Sequence, residues 1–406
     1  MTIPKTDTVR PGPTPTPGLP YETVALVLQG GGALGAYQAG VLEGLSEAGI
    51  ALNWVAGISI GALNAALIAG NAPQHRVERL REFWDTICQP AFVPMLAPLL
   101  PPVLAPFFEQ SLFDGGSVVR NLLTAFQAGS SVLQGQNGFF QPRVPTPLPW
   151  LATGPAQASW YDTAPLKSTL ERLCDFDRIN ARETRDSMRV SVGAVNVATG
   201  NFVYFDNRRE KLRAEHFMAS GALPPAFAPV EIDGQYYWDG GLVSNTPLAE
   251  VLSATPRRNT LAFQVDLWRA RGAVPGSLDA VAERVKDIQY SSRTRMVTDT
   301  LQREQRYRRL LRELLAAMPS APNDEPPGIR AARELACDKH YNVVHLIYQK
   351  QDFDHECKDF EFGATTMQNH WAAGLADIRK TLANQAWLQL PDNGSGFVTH
   401  DIHRAG

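Results

Sequence analysis

The sequence predicts an α/β protein whose central sheet is mainly parallel and flanked by helices, followed by a mostly helical C-terminal region. Two β-rich apolar runs, at residues 24–28 and 51–56, are each followed by a helical pattern, at 36–48 and 61–69. Such a β-α-β-α beginning favours parallel strands joined by right-handed crossovers. Beyond residue 276 the chain becomes helical and arginine-rich.

Later parts of the chain continue this pattern and suggest its division. Further strands are predicted at 189–197, 202–205, 236–238, 261–265 and 342–348, and further helices at 166–173, 216–222 and 365–382. We predict a proline-rich extended leader at 1–22, an α/β domain at 23–270 and a mostly helical region at 271–406. Within the α/β domain, residues 88–160 are rich in Pro, Gly, Gln and Ser and are predicted to form an irregular, lid-like insertion.

The composition excludes several classes of protein. The chain has 406 residues, a formal net charge of −3 and 44% apolar residues, so it is neither wholly disordered nor a general nucleic-acid binder. Its four cysteines form no CxxC pair, which excludes a disulfide scaffold and a cysteine-rich zinc site. The start lacks the apolar segment of a signal peptide, and six prolines interrupt the apolar run 90–108. We therefore expect a soluble, cytoplasmic protein.

A glycine cluster follows the first predicted strand and opens the first helix. Gly30, Gly32 and Gly35 match the GxGxxG pattern of dinucleotide-binding folds, but residues 53–57 lack the carboxylate that such folds carry at the second strand. The same backbone geometry could instead stabilise the oxyanion of an acyl-transfer reaction, or simply allow a helix to pack closely on a strand.

The next predicted strand ends in a G-x-S-x-G motif formed by Gly57, Ser59 and Gly61. A sharp strand–turn–helix of this kind lifts the serine hydroxyl above the edge of the sheet, and small flanking residues avoid clashes. The alternative is an ordinary helix cap by Ser59. In a parallel sheet, this turn and the glycine cluster after the first strand would lie side by side at the carboxyl edge, where α/β folds place their sites. The motif therefore favours a nucleophilic serine.

A nucleophilic serine needs a base, which is usually histidine. None of the eight histidines lies in an evident strand-end loop; His345 falls within a predicted strand. Asp239 directly follows a predicted strand and is followed by Gly240 and Gly241, so that a partly desolvated carboxylate could accept the serine proton directly. A plain turn is the alternative reading of this Asp-Gly-Gly sequence.

Three blocks together resemble the bacterial patatin-like phospholipases, in that family's order: VALVLQGGGALGAYQAGVLEGL, GISIGALNAALIAG and ASGALPPAFAPVEIDGQYYWDGGLVSNTPL. The resemblance implies a patatin-like three-layer sandwich, with 23–270 as its catalytic domain. It also implies a Ser-Asp dyad without histidine, in which Ser59 is the nucleophile and Asp239 the base. The resemblance assigns the oxyanion donors to Gly30, Gly31 and Gly32, and supporting motif positions to Gly35, Gly57, Gly61, Gly240 and Gly241.

The family hydrolyses acyl esters of phospholipids, galactolipids or neutral lipids, and the resemblance implies no metal or other cofactor. Leu34 departs from the Arg or Lys that many members carry in the glycine loop. The segment after 276 resembles a C-terminal region of one bacterial subgroup.

The sequence therefore predicts a serine lipid acyl hydrolase that forms an acyl-enzyme. Two alternatives stay open: a histidine-dependent esterase acting on another ester, with His345 as a candidate base, and a non-catalytic lipid-binding or scaffold protein. The expected partner is a lipid acyl ester, with transient membrane-surface contact and no nucleic acid. The oligomeric state is left open.

Overall fold

The computed structural model of the protein describes residues 19–88, 135–148, 150, 154–181, 187–291, 294–318, 326–349, 358–391, 394 and 396–401. The strands in this part of the chain are β1 (Thr23–Leu28), β2 (Trp54–Ile58), β3 (Gln141–Pro142), β4 (Tyr161–Asp162), β5 (Arg189–Asn196), β6 (Phe202–Asp206), β7 (Val230–Ile232), β8 (Gln235–Asp239), β9 (Thr260–Asp266), β10 (Tyr341–Ile347) and β11 (Phe397–His400).

The α-helices in the described part of the chain alternate with these strands at first and are more frequent than strands after β9. They are α1 (Gly35–Glu47), α2 (Ile60–Ala69), α3 (Arg76–Ile87), α4 (Ala164–Leu173), α5 (Phe176–Asn180), α6 (Ala214–Ser220), α7 (Leu248–Leu252), α8 (Leu278–Ser291), α9 (Thr294–Ala317), α10 (Pro327–Leu335) and α11 (Ala364–Ala383).

Nine of the described strands form one sheet in the order β11-β10-β9-β1-β2-β5-β8-β7, with β6 also pairing with β5. The six strands from β11 to β5 are parallel to their neighbours. The strands β6, β7 and β8 run antiparallel at the far end. The short strands β3 and β4 pair separately.

Helices cover both faces of the sheet. In β1, Leu26 and Leu28 point into a large core shared with α1, α2, α3 and α11, whereas Ala25 and Val27 point into a smaller core shared with α7 and α9. This alternation with a period of two is the burial pattern of a strand covered on both faces. The result is the expected three-layer arrangement, so the predicted fold class is confirmed.

Residues beyond 270 contribute to both the sheet and its helical layer. Strands β10 and β11 extend the sheet beside β9. Helix α11 packs along α1, where the Tyr37 hydroxyl donates to Asp377 at 2.8 Å. The division at residue 270 remains a prediction.

Most predicted elements lie within a few residues of the observed ones, but the second strand is displaced from the predicted 51–56 to Trp54–Ile58. The reason is Asn53, whose side chain accepts from the Val24 N–H at 2.9 Å and donates to the Glu22 carbonyl at 2.9 Å. These hydrogen bonds fix Asn53 as the last residue of the connection from α1, so β2 begins at Trp54 and ends at Ile58, the residue before Ser59.

Much of the predicted lid-like insertion, residues 89–134, and of the predicted leader, residues 1–18, lies outside the described residues. No helix in the described part of the chain combines the length and the apolarity needed to cross a membrane.

Candidate active site

Ser59 occupies a sharp turn between β2 and α2. Its backbone has φ 55° and ψ −126°, a conformation that is strained for a residue with a side chain. A Cβ atom on Gly57 would lie 2.2 Å from the Gly61 carbonyl oxygen, and one on Gly61 would lie 2.4 Å from the Leu28 carbonyl oxygen. Only glycine fits at these two positions, so the G-x-S-x-G spacing is what allows this turn to form.

The register of β5 brings Asp239 to Ser59. Ile58, the last residue of β2, pairs with Gly193, whereas Asp239, the last residue of β8, pairs with the next residue, Ala194. Strand β8 is antiparallel to β5 and continues the same edge at the point where β2 ends. The carboxyl ends of β2 and β8 therefore face each other along one strand, and Gly240 passes the backbone of β5 in close contact.

Asp239 is buried, with 2% of its surface exposed. Its carboxylate accepts a hydrogen bond from the Ser59 hydroxyl and one from the Gly241 N–H at 2.7 Å. Burial raises the pKa of this carboxyl from its ordinary 3.8 to about 7, although both hydrogen bonds oppose the rise. A carboxylate with this pKa is a much stronger base than an exposed aspartate.

A second serine fixes the backbone of the turn. Ser220, at the end of α6, is fully buried; its hydroxyl accepts from the Ser59 N–H at 3.0 Å and donates to the Gly193 carbonyl at 2.6 Å. The backbone amide of Ser59 is therefore already engaged and is not free to donate to a ligand.

The glycine loop lies beside Ser59. A Cβ on Gly30 would lie 2.9 Å from the Ser59 Cβ. The Gly30 N–H already donates to the Asn245 carbonyl at 3.3 Å, whereas no acceptor for the N–H groups of Gly31 and Gly32 is found among the described residues. Of the three glycines named from the sequence, Gly31 and Gly32 are thus the ones with amides available to a ligand.

After the loop, Gly35 begins α1 in tight contact with Ile60 and Trp84. The start of α1 therefore packs directly against the start of α2. All the motif positions predicted from the sequence are within one region at the carboxyl edge of the sheet.

An apolar cavity of about 250 Å³ opens beside Ser59, Asp239 and the glycine loop. One wall is a cluster of aromatic rings with centroids 4.7–6.2 Å apart, in the range of favourable ring contacts. These rings belong to Phe139, Phe140, Tyr161, Phe227 and Phe362. Apolar surface of this kind suits a hydrocarbon chain.

His345 does not share this site. It lies on β10, which is separated from β2 by β9 and β1. Its Nε2 is 2.6 Å from an Asp266 carboxylate oxygen, and both side chains are buried. No group of three His, Cys, Asp or Glu side chains within the described ranges is arranged to hold a metal ion.

The sequence reasoning missed four residues that contact Ser59 or the glycine loop: Ser220, Asn245, Trp268 and Asp359. Ser220 and Asn245 lie inside the third motif block, where their proximity to Asp239 was a usable signal. Trp268 follows β9, and Asp359 follows β10 by a dozen residues. No local pattern marks either of these two, because their contacts with the glycine loop span more than 200 residues.

Two family models match long segments of this chain. A family model described as patatin-like phospholipase matches residues 26–252, and a second, described as patatin phospholipase, matches residues 288–394. Patatin-like phospholipase domain-containing protein 6 of Homo sapiens is 36% identical over 105 residues, which are 26% of this chain and 7% of that protein. Lysophospholipase nte1 of Aspergillus terreus is 54% identical over 50 residues, 12% of this chain and 3% of that protein.

Solved structures give weaker similarities. VipD from Legionella pneumophila is 14% identical with a TM-score of 0.38, covering 93% of this chain and 71% of that one. Human GIVD cytosolic phospholipase A2 is 13% identical with a TM-score of 0.36, covering 90% and 58%. The matched segments are less than a tenth of the length of the curated relatives, so the assignment depends on the family models, the first of which spans more than half of the chain. On that match, the chain belongs to the patatin-like phospholipase family.

Proposed function

We propose that this chain is a serine hydrolase of lipid acyl esters that uses a Ser59-Asp239 dyad. Family membership supports the general assignment to lipid ester hydrolases. The observation that carries the finer one is the hydrogen bond from the Ser59 hydroxyl to a buried carboxylate whose pKa is raised to about 7, at the opening of an apolar cavity.

In the acylation step, the Ser59 oxygen attacks the ester carbonyl carbon while its proton passes to the Asp239 carboxylate. The carbonyl oxygen becomes an oxyanion that accepts hydrogen bonds from the Gly31 and Gly32 N–H groups. The tetrahedral intermediate then collapses, and the leaving alcohol takes the proton from Asp239. An acyl-enzyme on Ser59 and a free alcohol result.

Deacylation repeats these roles with water. Asp239 accepts a proton from a water molecule as its oxygen attacks the acyl carbon, and the same N–H groups stabilise the second oxyanion. The Ser59 oxygen leaves and regains its proton from Asp239, releasing the fatty acid. Lipid in a membrane surface or micelle is the proposed source of the ester, because the cavity suits a hydrocarbon chain.

The alternative of His345 as base finds no support in its position, since it pairs with Asp266 three strands away from Ser59. A non-catalytic scaffold is the alternative that an assay must address.

The test is hydrolysis of a short-chain nitrophenyl ester and of a labelled phospholipid in vesicles by the wild type, Ser59→Ala and Asp239→Asn. We expect Ser59→Ala to abolish turnover, and Asp239→Asn to lower kcat by about 10²–10⁴-fold. The exposed serine Ser253 provides a matched control, and Ser253→Ala should retain wild-type rates.

Because Asp239 must be ionised to accept a proton, kcat/KM of the wild type should rise with pH and level off above about pH 7. Below that pH it should fall about tenfold per pH unit. If Ser59→Ala hydrolysed esters at the wild-type rate, Ser59 would not be the nucleophile. An inactive wild type on every ester would favour the scaffold, and cleavage of short esters alone would exclude phospholipid as the substrate.

A further inference from the structure

The carbonyl group of Gly30 is held on one side of the glycine loop by two side-chain donors. The Trp268 indole Nε1–H donates to it at 2.7 Å, and the Asn245 side-chain amide donates at 3.0 Å. In a planar trans peptide the N–H of the next residue points opposite to the carbonyl. Fixing the Gly30 carbonyl therefore fixes the direction of the Gly31 N–H, away from Trp268.

The other end of the loop is held by the C-terminal region. The Asp359 carbonyl accepts from the Ala33 N–H at 2.9 Å. A Cβ on Gly32 would lie 2.1 Å from that carbonyl oxygen, and Gly32 itself has φ +55°. Both available N–H groups, those of Gly31 and Gly32, thus lie between an anchor at Trp268 and an anchor at Asp359.

Contacts of both its backbone and its indole ring fix the position of Trp268. The backbone N–H groups of Leu267 and Trp268 both donate to the side-chain oxygen of Gln29, the residue before the loop. The indole ring lies 5.0 Å from the Tyr290 ring, centroid to centroid, and the Lys358 ammonium is 5.3 Å from the indole centroid. This ammonium is close enough for a cation–π attraction.

Ion pairs connect these contacts to helix α8. Lys358 is buried and pairs with Glu283 at 3.2 Å and Asp287 at 2.9 Å. Lys286, on the same helix, pairs with Asp359 at 2.8 Å. Because leaving a buried charge without its partner is costly, the two Lys358 pairs favour one arrangement of α8 and the C-terminal segment.

We propose that Trp268 is a positioning residue for the oxyanion donors, and that α8 and residues 358–359 of the C-terminal region hold it and the glycine loop in register with Ser59. This inference builds on the proposed function. It gives the region beyond residue 270 a role in the chemistry: the catalytic loop is completed by residues that the first family match does not include.

Replacing Trp268 by Phe tests the proposal, because Phe keeps an aromatic ring but has no N–H. With a short-chain ester, we expect kcat to fall by about 10–100-fold, since misdirected donors stabilise the transition state less, while KM changes by less than about threefold. The pH at which kcat/KM levels off should stay near 7, because Asp239 is untouched.

Trp387→Phe is the matched control. Trp387 is also buried, and its indole N–H also donates to a backbone carbonyl, that of Thr381 at 3.1 Å. It packs on Phe263 in the middle of β9 and does not line the cavity. We expect a similar loss of thermal stability in both variants and a loss of kcat only in Trp268→Phe.

Incorporation of benzothienylalanine at position 268, which exchanges the indole N–H for sulfur at nearly constant shape, repeats the test if the Phe variant folds poorly. The proposal is overturned if kcat of the folded Trp268 variants is unchanged, or if the loss lies in KM alone. It is also overturned if Trp387→Phe loses kcat equally. Wild type and Ser59→Ala in the same assay report separately on the proposed function, because both keep Trp268 and differ only at the proposed nucleophile.

Discussion

Two buried aspartates face the same strand, β5, three residues apart, and their surroundings are opposite in kind. Asp206 pairs with Ser191, and Asp239 pairs with Ala194. Asp206 has no exposed surface, and Asp239 has 2%. At about 3.3 Å per residue, the two positions on β5 are only about 10 Å apart.

The Asp206 carboxylate is fully compensated. It accepts from the Arg189 guanidinium at 2.7 Å, the Ser191 hydroxyl at 2.8 Å and the Arg208 N–H at 2.8 Å. Asp239 has a backbone N–H and the Ser59 hydroxyl, and no cation pairs with it among the described residues. Equal burial thus gives one carboxylate that accepts from a cation and two further donors, and one whose pKa is raised by burial, as its proposed role as a base requires.

The largest expected effect concerns the compensated carboxylate. Asp206→Asn leaves the Arg189 cation without its closest anion, and breaking a buried pair costs about 3–5 kcal/mol. We expect the free energy of unfolding, measured by urea denaturation, to fall by about that amount, with kcat per folded molecule unchanged. A loss of kcat at full stability would contradict the division of roles between the two aspartates.

The second effect has the opposite sign. Between about pH 4 and pH 7 the folded protein retains a proton on Asp239 that the unfolded chain has released, so this group's contribution to stability falls as the pH rises through that window. The difference between a pKa of 3.8 and one of about 7 corresponds to about 4 kcal/mol. Asp239→Asn removes this penalty.

We therefore expect Asp239→Asn to be more stable than the wild type by up to about 4 kcal/mol at pH 8, with the difference vanishing near pH 4. Thermal unfolding of both proteins across this pH range measures it. A destabilised variant at pH 8 would show that the Asp239 charge is compensated after all.

The smallest effect compares the hydroxyl donors of the two carboxylates. Ser191 donates to Asp206 and accepts from the Trp54 indole N–H at 3.0 Å, so Ser191→Ala should cost about 1–3 kcal/mol. Ser59→Ala should cost less at pH 7, because Asp239 can take up a proton when it loses its donor. Thermal unfolding of the two variants decides this, and an equal loss in both would remove the contrast.

The elements of the fold that could be predicted are those with a local signal. The apolar runs at 24–28 and 261–265 are buried strands, and the motifs around Ser59 and Asp239 carry glycines that the close backbone contacts require. The start of β2 could not be read from apolarity, because it depends on hydrogen bonds that Asn53 makes to a distant segment.

The residues that hold the glycine loop in place could not be predicted from the sequence either. Trp268 and Asp359 act on the glycine loop through one hydrogen bond each, and neither position differs in sequence from an ordinary buried tryptophan or a surface acid. Whether Gly30 can be an oxyanion donor also depends on a contact between distant residues, because the backbone N–H of Gly30 already donates to the Asn245 carbonyl.

The end-to-end meeting of β2 and β8 along β5 has a consequence for how this chain tolerates change. The separation of Ser59 and Asp239 is set by backbone pairing with two consecutive residues, so side chains elsewhere on β5 can vary without altering it. A single-residue insertion or deletion in β8 is different: it displaces the carboxylate by about 3.3 Å and turns it to the opposite face. The length of β8 is therefore much more constrained than the side chains of β5.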